Sequence, residues 1–141
     1  MEILIDANVV ITYITDREDK YHDESIAIMR MCAEGSVHGR IAFHTLSIIS
    51  YIFRKNPSRL QCWLRNICSV AEVTGASHRK IMEAIDRFDF LDFEDNLQAI
   101  CAEEAMCDYI VTGNIKDFAT SGIPAITPDD FLKLMREKLS T

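Results

Sequence analysis

Five short apolar runs alternate along this chain with longer stretches whose apolar residues recur at helical spacing, and that alternation limits the fold more than any other feature. The runs are Met1 to Ile5, Arg40 to Phe43, Ser69 to Val73, Tyr109 to Val111 and Pro124 to Ile126. The first is apolar at successive positions, so both faces are buried and the strand is central. Helices are predicted between the runs. One opens at Asn8, and one capped by Asp23 runs through Ile26, Met29, Met31 and Cys32 to Gly35. One begins at Thr45 with Leu46, Ile49, Ile52 and Phe53 and stops at Asn56-Pro57, and Ser58 starts the next through Leu60, Trp63 and Leu64. Others begin near Ser77, at Glu94-Asp95 with Leu97, Ile100, Cys101 and Ala105, and at Thr127-Pro128, where threonine caps and proline fills the first turn. The expected architecture is α/β: a single domain over residues 1–141, a three-layer α/β/α sandwich with a mainly parallel sheet. The ligand site of such a sheet lies beyond the carboxyl ends of its strands.

Three acids stand where that site is expected. Asp6 ends the first apolar run, Asp95 opens a helix, and Asp117 follows the run Tyr109-Ile110-Val111 by a turn. Singly, each has a structural explanation, as a strand terminator, a helix-dipole partner or a turn residue. Together, at strand ends and helix starts on one side of a sheet, they repel one another unless a divalent cation is held between them.

The balance of 15 basic against 22 acidic residues, a formal charge of −7, argues against a protein that coats nucleic acid by bulk positive charge. No acid lies between Glu34 and Glu72, however, whereas Arg40, Arg54, Lys55, Arg59 and Arg65 do, so this stretch forms either a local basic surface or the solvated faces of helices. Cys32, Cys62, Cys68, Cys101 and Cys107 lack zinc-site spacing and are expected as reduced, buried thiols. His22, His38, His44 and His78 form no metal-binding pair. The apolar start is too short for a leader or a membrane span, and a cytoplasmic location is the expectation. The segment Asp16 to Lys20 is expected as a solvated loop, and Trp63 as a packing residue.

The motifs DANVV after the first strand, DFEDNLQA at 92–99 and DYIVTGNIKDF at 108–118 resemble, in order, those of the PIN-domain family, metal-dependent ribonucleases that include the VapC-type toxins paired with an antitoxin. The resemblance implies that Asp6, Asp95 and Asp117 bind Mg²⁺ or Mn²⁺, with Asn8, Thr112 and Asn114 as polar support. It implies single-stranded RNA as substrate, an antitoxin protein as partner, and a homodimer. Arg40, Arg54, Lys55 and Arg59 are the candidates for holding RNA phosphates, because arginine matches phosphate geometry with paired hydrogen bonds. Within the middle motif Asp95, and not Asp92, follows the glutamate and opens the helix, as in the family.

One position departs from the pattern. Aligning Phe43 to Tyr51 with the family's helix after the second strand puts Ile48 where a glutamate usually stands, and isoleucine binds neither metal nor water. With fewer carboxylates a second ion binds less well. A catalytically impaired module that acts by binding RNA or protein is therefore the alternative reading. A remote third, a phosphatase of the haloacid dehalogenase type, draws on Asp6, Asn8, Thr112, Lys116 and Asp129-Asp130, but the amide of Asn8 replaces the carboxylic acid that such enzymes use to donate a proton.

Overall fold

The computed structural model describes residues 1–87 and 92–140. Five parallel strands form one sheet: β1 (Glu2–Ile5), β2 (His38–Ala42), β3 (Glu72–Thr74), β4 (Tyr109–Val111) and β5 (Ala125–Ile126), in the spatial order β3-β2-β1-β4-β5. Among the described residues seven α-helices accompany them: α1 (Ala7–Thr15), α2 (His22–Glu34), α3 (Phe43–Ile52), α4 (Pro57–Val70), α5 (His78–Ile85), α6 (Phe93–Glu104) and α7 (Pro128–Leu139). The three-layer α/β/α arrangement expected from the alternating pattern is what forms.

The connections from β1 to β2 and from β2 to β3 leave the carboxyl end of one strand and return through helices to its parallel neighbour, as parallel pairing requires. Leu4 pairs with Arg40 on one side of β1 and Ile110 on the other, so β1 is the middle strand, with Ile3, Leu4 and Ile5 fully buried. Successive side chains of a strand point to opposite faces. Ile3 and Ile5 enter a core with Val10, Ile14, Ile28, Met29, Ile49, Ile67 and Phe131, contributed by α1, α2, α3, α4 and α7. Leu4 enters a second core with Ala42, Ala99, Ala102 and Ile110 on the opposite face. Small residues on the inner side of α6 let that helix lie close against the strands. At Gly39 a β-carbon would sit 2.6 Å from the Cys32 sulfur, so the absence of a side chain there is what lets α2 approach β2.

Several boundaries differ from the expected ones. Ser69 and Val70 belong to α4 and not to a strand, because the apolar stripe of Leu60, Trp63, Leu64 and Ile67 continues onto the core, and β3 begins only at Glu72. Tyr21 is the N-cap residue of α2, and Asp23 lies inside its first turn, where it favours the helix dipole instead of capping. Helix α3 begins at Phe43, ahead of Thr45. Cys62 and Cys68 are exposed on α4, while Cys32, Cys101 and Cys107 are buried, and all five are free thiols. Trp63 packs edge-on to Tyr13 with ring centroids 5.8 Å apart, the packing role expected of it. No helix among the described residues is long and apolar enough to cross a membrane.

Candidate active site at the carboxyl edge of the sheet

The strand order reverses between β1 and β4. From β1 the chain builds outward through β2 to β3, then returns past β1 to build β4 and β5 on the other side. The loops on either side of such a reversal diverge and leave a crevice beyond the strand ends. Asp6 follows β1 and Thr112 follows β4, so both stand at that crevice.

Asp6 is 4% exposed, and neutral donors hold its carboxylate. The Gln98 side-chain amide donates to Oδ1 at 2.8 Å, and the Thr112 hydroxyl donates to Oδ2 at 2.8 Å. The carbonyl of the same Gln98 amide accepts the Ala7 backbone N–H at 3.1 Å, so one side chain of α6 clamps both the acid and the first turn of α1. Burial pushes the Asp6 carboxyl above its ordinary range, and the bonds from Thr112 and Gln98 and the backbone at Asn8 and Ala7 oppose that shift.

Asp95 lies in the first turn of α6, which begins with the Asp92 carboxylate accepting the Asp95 N–H at 3.1 Å. The Asp95 carboxyl is pushed up to about 7, first by burial and then by the fields of Asp6, Asp117, Asp92 and Glu94. Asp6 and Asp117 are thus among the charges that act on Asp95. Asp117 sits on a short 3₁₀ turn, Ile115–Phe118, where the Asn114 amide donates to its Oδ2 at 3.0 Å. The Asn114 N–H in turn bonds the Thr112 hydroxyl at 3.1 Å. Thr112 and Asn114 thus support Asp6 and Asp117 respectively. Asn8 is exposed on the first turn of α1.

Among the described residues none of Asp6, Asp95 and Asp117 makes an ion pair. Oxygen donors without a basic partner among the described residues, one of them forced toward its protonated form by burial and then by its neighbours, suit a hard divalent cation in chemistry and in charge. No three Asp, Glu, His or Cys groups among the described residues stand close enough to hold one ion as they are.

Ile48 is half-buried on α3 and lines a cavity of about 470 Å³ with His44, Ser47, Asp92, Phe93, Glu94 and Leu97. Burial lowers the His44 pKa, and its buried Nε2 has no hydrogen-bond partner among the described residues. The helix position from which a carboxylate would reach the acidic start of α6 therefore carries a hydrocarbon.

The four candidate RNA-binding residues separate. Arg40 is set apart from the other three, because its guanidinium donates to Glu2 at 2.8 Å and lies 3.6 Å from Glu72. Its partner Glu2 starts β1, about 13 Å of strand away from Asp6. Arg54, Lys55 and Arg59 are exposed at the junction of α3 and α4. There Arg54 stacks on Tyr51 at 4.1 Å and Arg59 lies 5.5 Å from the Phe53 ring centroid. About 15 Å of helix separates that junction from the start of α3 beside the crevice. Gln98 was within the middle motif, but only the fold brings it to Asp6.

A family model of the PIN domain matches residues 2–116. Among solved structures, VapBC2 from Rickettsia felis, described as bound to a DNA fragment from its promoter, is similar with a TM-score of 0.70 at 19% identity, covering 90% of this chain and 98% of that one. The protein PAE2754 from Pyrobaculum aerophilum is similar with a TM-score of 0.60 at 18% identity, covering 97% of this chain and 96% of that one. Among curated proteins none matches the sequence.

Proposed function

Because the chain belongs to the PIN-domain family, we propose that it is a metal-dependent ribonuclease of single-stranded RNA, the toxin member of a toxin–antitoxin pair. The observation that carries this reading is the placement of the three acids, Asp6 held by Gln98 and Thr112, Asp117 held by Asn114 and Asp95 in the first turn of α6, with no ion pair to any of them among the described residues. Unpaired acids gathered in a crevice destabilise a fold, so their presence calls for a bound cation. Asp6, Asp95 and Asp117 would hold Mg²⁺ or Mn²⁺, which supplies acidified water and neutralises phosphoryl charge.

The chain's own residues set the geometry. Gln98 and Thr112 fix both oxygens of Asp6, so this carboxylate is oriented before any ligand arrives. Asn114 does the same for Asp117 from within one turn. Asp95 has a carboxyl near neutrality and is the member of the set that must give up a proton for the site to charge fully. Arg54, Lys55 and Arg59 would take phosphates several nucleotides from the crevice. The Rickettsia felis structure is of VapBC2, and by that likeness an antitoxin protein is the expected partner here; self-association as a homodimer is a further expectation.

Calorimetric titration of Mn²⁺, with cleavage of single-stranded RNA, tests this reading. Wild type is expected to bind the ion and cut, and Asp95→Asn to do neither. Ile48 favours a second reading, an impaired module acting through its partners. Wild-type protein that binds no Mn²⁺ at millimolar concentration and cuts nothing would establish that reading in place of the first. The phosphatase alternative falls with family membership.

A further inference from the structure

Beside the acids, on the far side of α1, a cavity of about 340 Å³ is lined by Asn8, Val9 and Thr12 of α1, by Arg17, Asp19, Lys20 and Tyr21 of the following segment, by Ser25 of α2 and by Gly113. We propose that this cavity receives one nucleotide of the RNA next to the scissile phosphate, an inference that rests on the ribonuclease reading and names the part of the site that grips the substrate.

Position is the first support. Asn8 lies two residues after Asp6, and Gly113 follows the threonine whose hydroxyl bonds Asp6, so the cavity is lined by residues that adjoin the crevice. Its size is within the range of pockets that hold small organic ligands, about 300–1,000 Å³.

The second support is Ser25. Its residue is 0% exposed, and its hydroxyl has no hydrogen-bond partner among the described residues although it borders the cavity. A buried hydroxyl left without a partner costs roughly 1–3 kcal/mol. The hydroxyl is closed to solvent as the cavity stands, so a ligand group would supply the missing bond once the cavity wall shifts to admit it.

Charge is the third. Arg17 and Lys20 face a cavity with a single acid, Asp19, in a chain whose net charge is −7. Asp19 accepts a hydrogen bond from Thr12 at 3.3 Å, which occupies part of it. Arg17 makes no ion pair among the described residues and remains available to a phosphate.

The segment that carries these cations is braced. Asp16 takes a left-handed backbone conformation, φ 52°, where α1 ends, and His22 bonds Asp16 at 2.5 Å and Asp23 at 2.9 Å. Tyr21 offers an aromatic wall, with the Lys20 ammonium 5.2 Å from its ring centroid. A β-carbon at position 113 would come within 3.3 Å of that ring, so a glycine there leaves Tyr21 in place.

Fluorescence anisotropy with a fluorescein-labelled, single-stranded RNA octamer of mixed sequence tests the inference, using Asp95→Asn protein so that the probe is not cut. Adding Arg17→Ala or Tyr21→Ala is expected to weaken binding about five- to tenfold, as loss of a phosphate contact or a stacking surface does, with the melting temperature unchanged. A 4-thiouridine-bearing octamer is expected to crosslink to the peptide containing Tyr21. Affinity unaltered by both substitutions, crosslinks confined to other peptides, or no RNA binding at all overturns the proposal. Cleavage by wild type, measured separately, tells the two failures apart. Binding that depends on Arg17 without Mn²⁺-dependent cleavage removes the nuclease reading and leaves the subsite, whereas cleavage with Arg17-independent binding removes the subsite alone.

Discussion

The Thr112 hydroxyl donates to Oδ2 of Asp6 at 2.8 Å, joining residues 106 positions apart in a fully buried bond between the ends of the two central strands. The same hydroxyl accepts the Asn114 N–H, so it sets the path of the chain toward Asp117 as well. Thr112→Val keeps the shape and removes the bond. It is expected to lower stability by about 1–3 kcal/mol, the cost of leaving a buried acceptor short of a donor. Urea denaturation checks this, and Mn²⁺ affinity should fall in the same variant because Asp6 loses its orientation. Asn114→Ala, which removes an exposed bond, is expected to cost under about 1 kcal/mol.

Asp95 gives the protein a pH dependence whose sign follows from its folded-state value. The carboxyl has an ordinary value of 3.8 and is pushed to about 7 in the fold. Below the lower value both states carry the proton and nothing is lost. Between the two the unfolded chain releases it while the folded chain retains it, so stability declines as pH rises through this window and the full penalty is present above about 7. Asp95→Asn removes the penalty. In metal-free buffer the variant should exceed wild type by about 1–2 kcal/mol at pH 8, allowing for solvent screening, and match it near pH 4. Thermal melts across pH measure the difference. Added Mn²⁺ should then raise the melting temperature of wild type and leave that of the variant where it was.

Local signals made much of this fold legible. The strand Tyr109–Val111 and the helix start at Thr127-Pro128 lie where the sequence puts them, because an apolar run and a threonine cap act over a few residues. Ser69 and Val70 were not legible as helix, since only packing of Ile67 into the core decides that the last turn of α4 outlasts the β-branched run. The three aspartates were visible because each is tied to a strand end or helix start in its own motif. Gln98 was not singled out, because its function depends on a contact spanning 92 positions. The ion pairs of Arg40 were not legible for the same reason. Nothing nearby in sequence announces Glu2 and Glu72, which the parallel register sets beside it. The segment from Asp16 to Lys20 is the exposed loop its composition predicts, and its contact with His22 and its place beside the cavity were not legible, because they depend on the fold.

Arg40 and Arg54 should therefore fail in different ways. Arg40→Ala strands Glu2, which also bonds His38 at 2.6 Å, and is expected to lower stability by about 1 kcal/mol without changing affinity for RNA. Arg54→Ala lies on the surface and should leave stability within about 0.5 kcal/mol of wild type. Its effect should appear in RNA affinity, as a reduced slope of log affinity against log salt. Chemical denaturation and salt-dependent anisotropy separate the two. Equal loss of RNA binding in both variants would return Arg40 to the phosphate-binding set.

Ile48 offers the most direct test of how the site came to have three acids. The side chain is half-buried and borders a cavity of about 470 Å³, so a glutamate fits there without displacing core residues. It would, however, enter a region that already holds Asp92 and Glu94, and burial lowers the pKa of His44 in the same cavity wall. Without metal, Ile48→Glu is expected to melt below wild type, because another carboxylate joins a site with no countercharge. With Mn²⁺ the order should narrow or reverse, since the added oxygen donor strengthens binding of a hard cation and that binding stabilises only the folded state. Ile48→Gln, of the same size and without the charge, should show neither effect. Calorimetry would register the change as an affinity for Mn²⁺ at least about tenfold tighter in the glutamate variant, equivalent to about 1.4 kcal/mol. Unchanged or weaker affinity in a folded Ile48→Glu protein would place the missing arm elsewhere on α3 and detach Ile48 from the metal site.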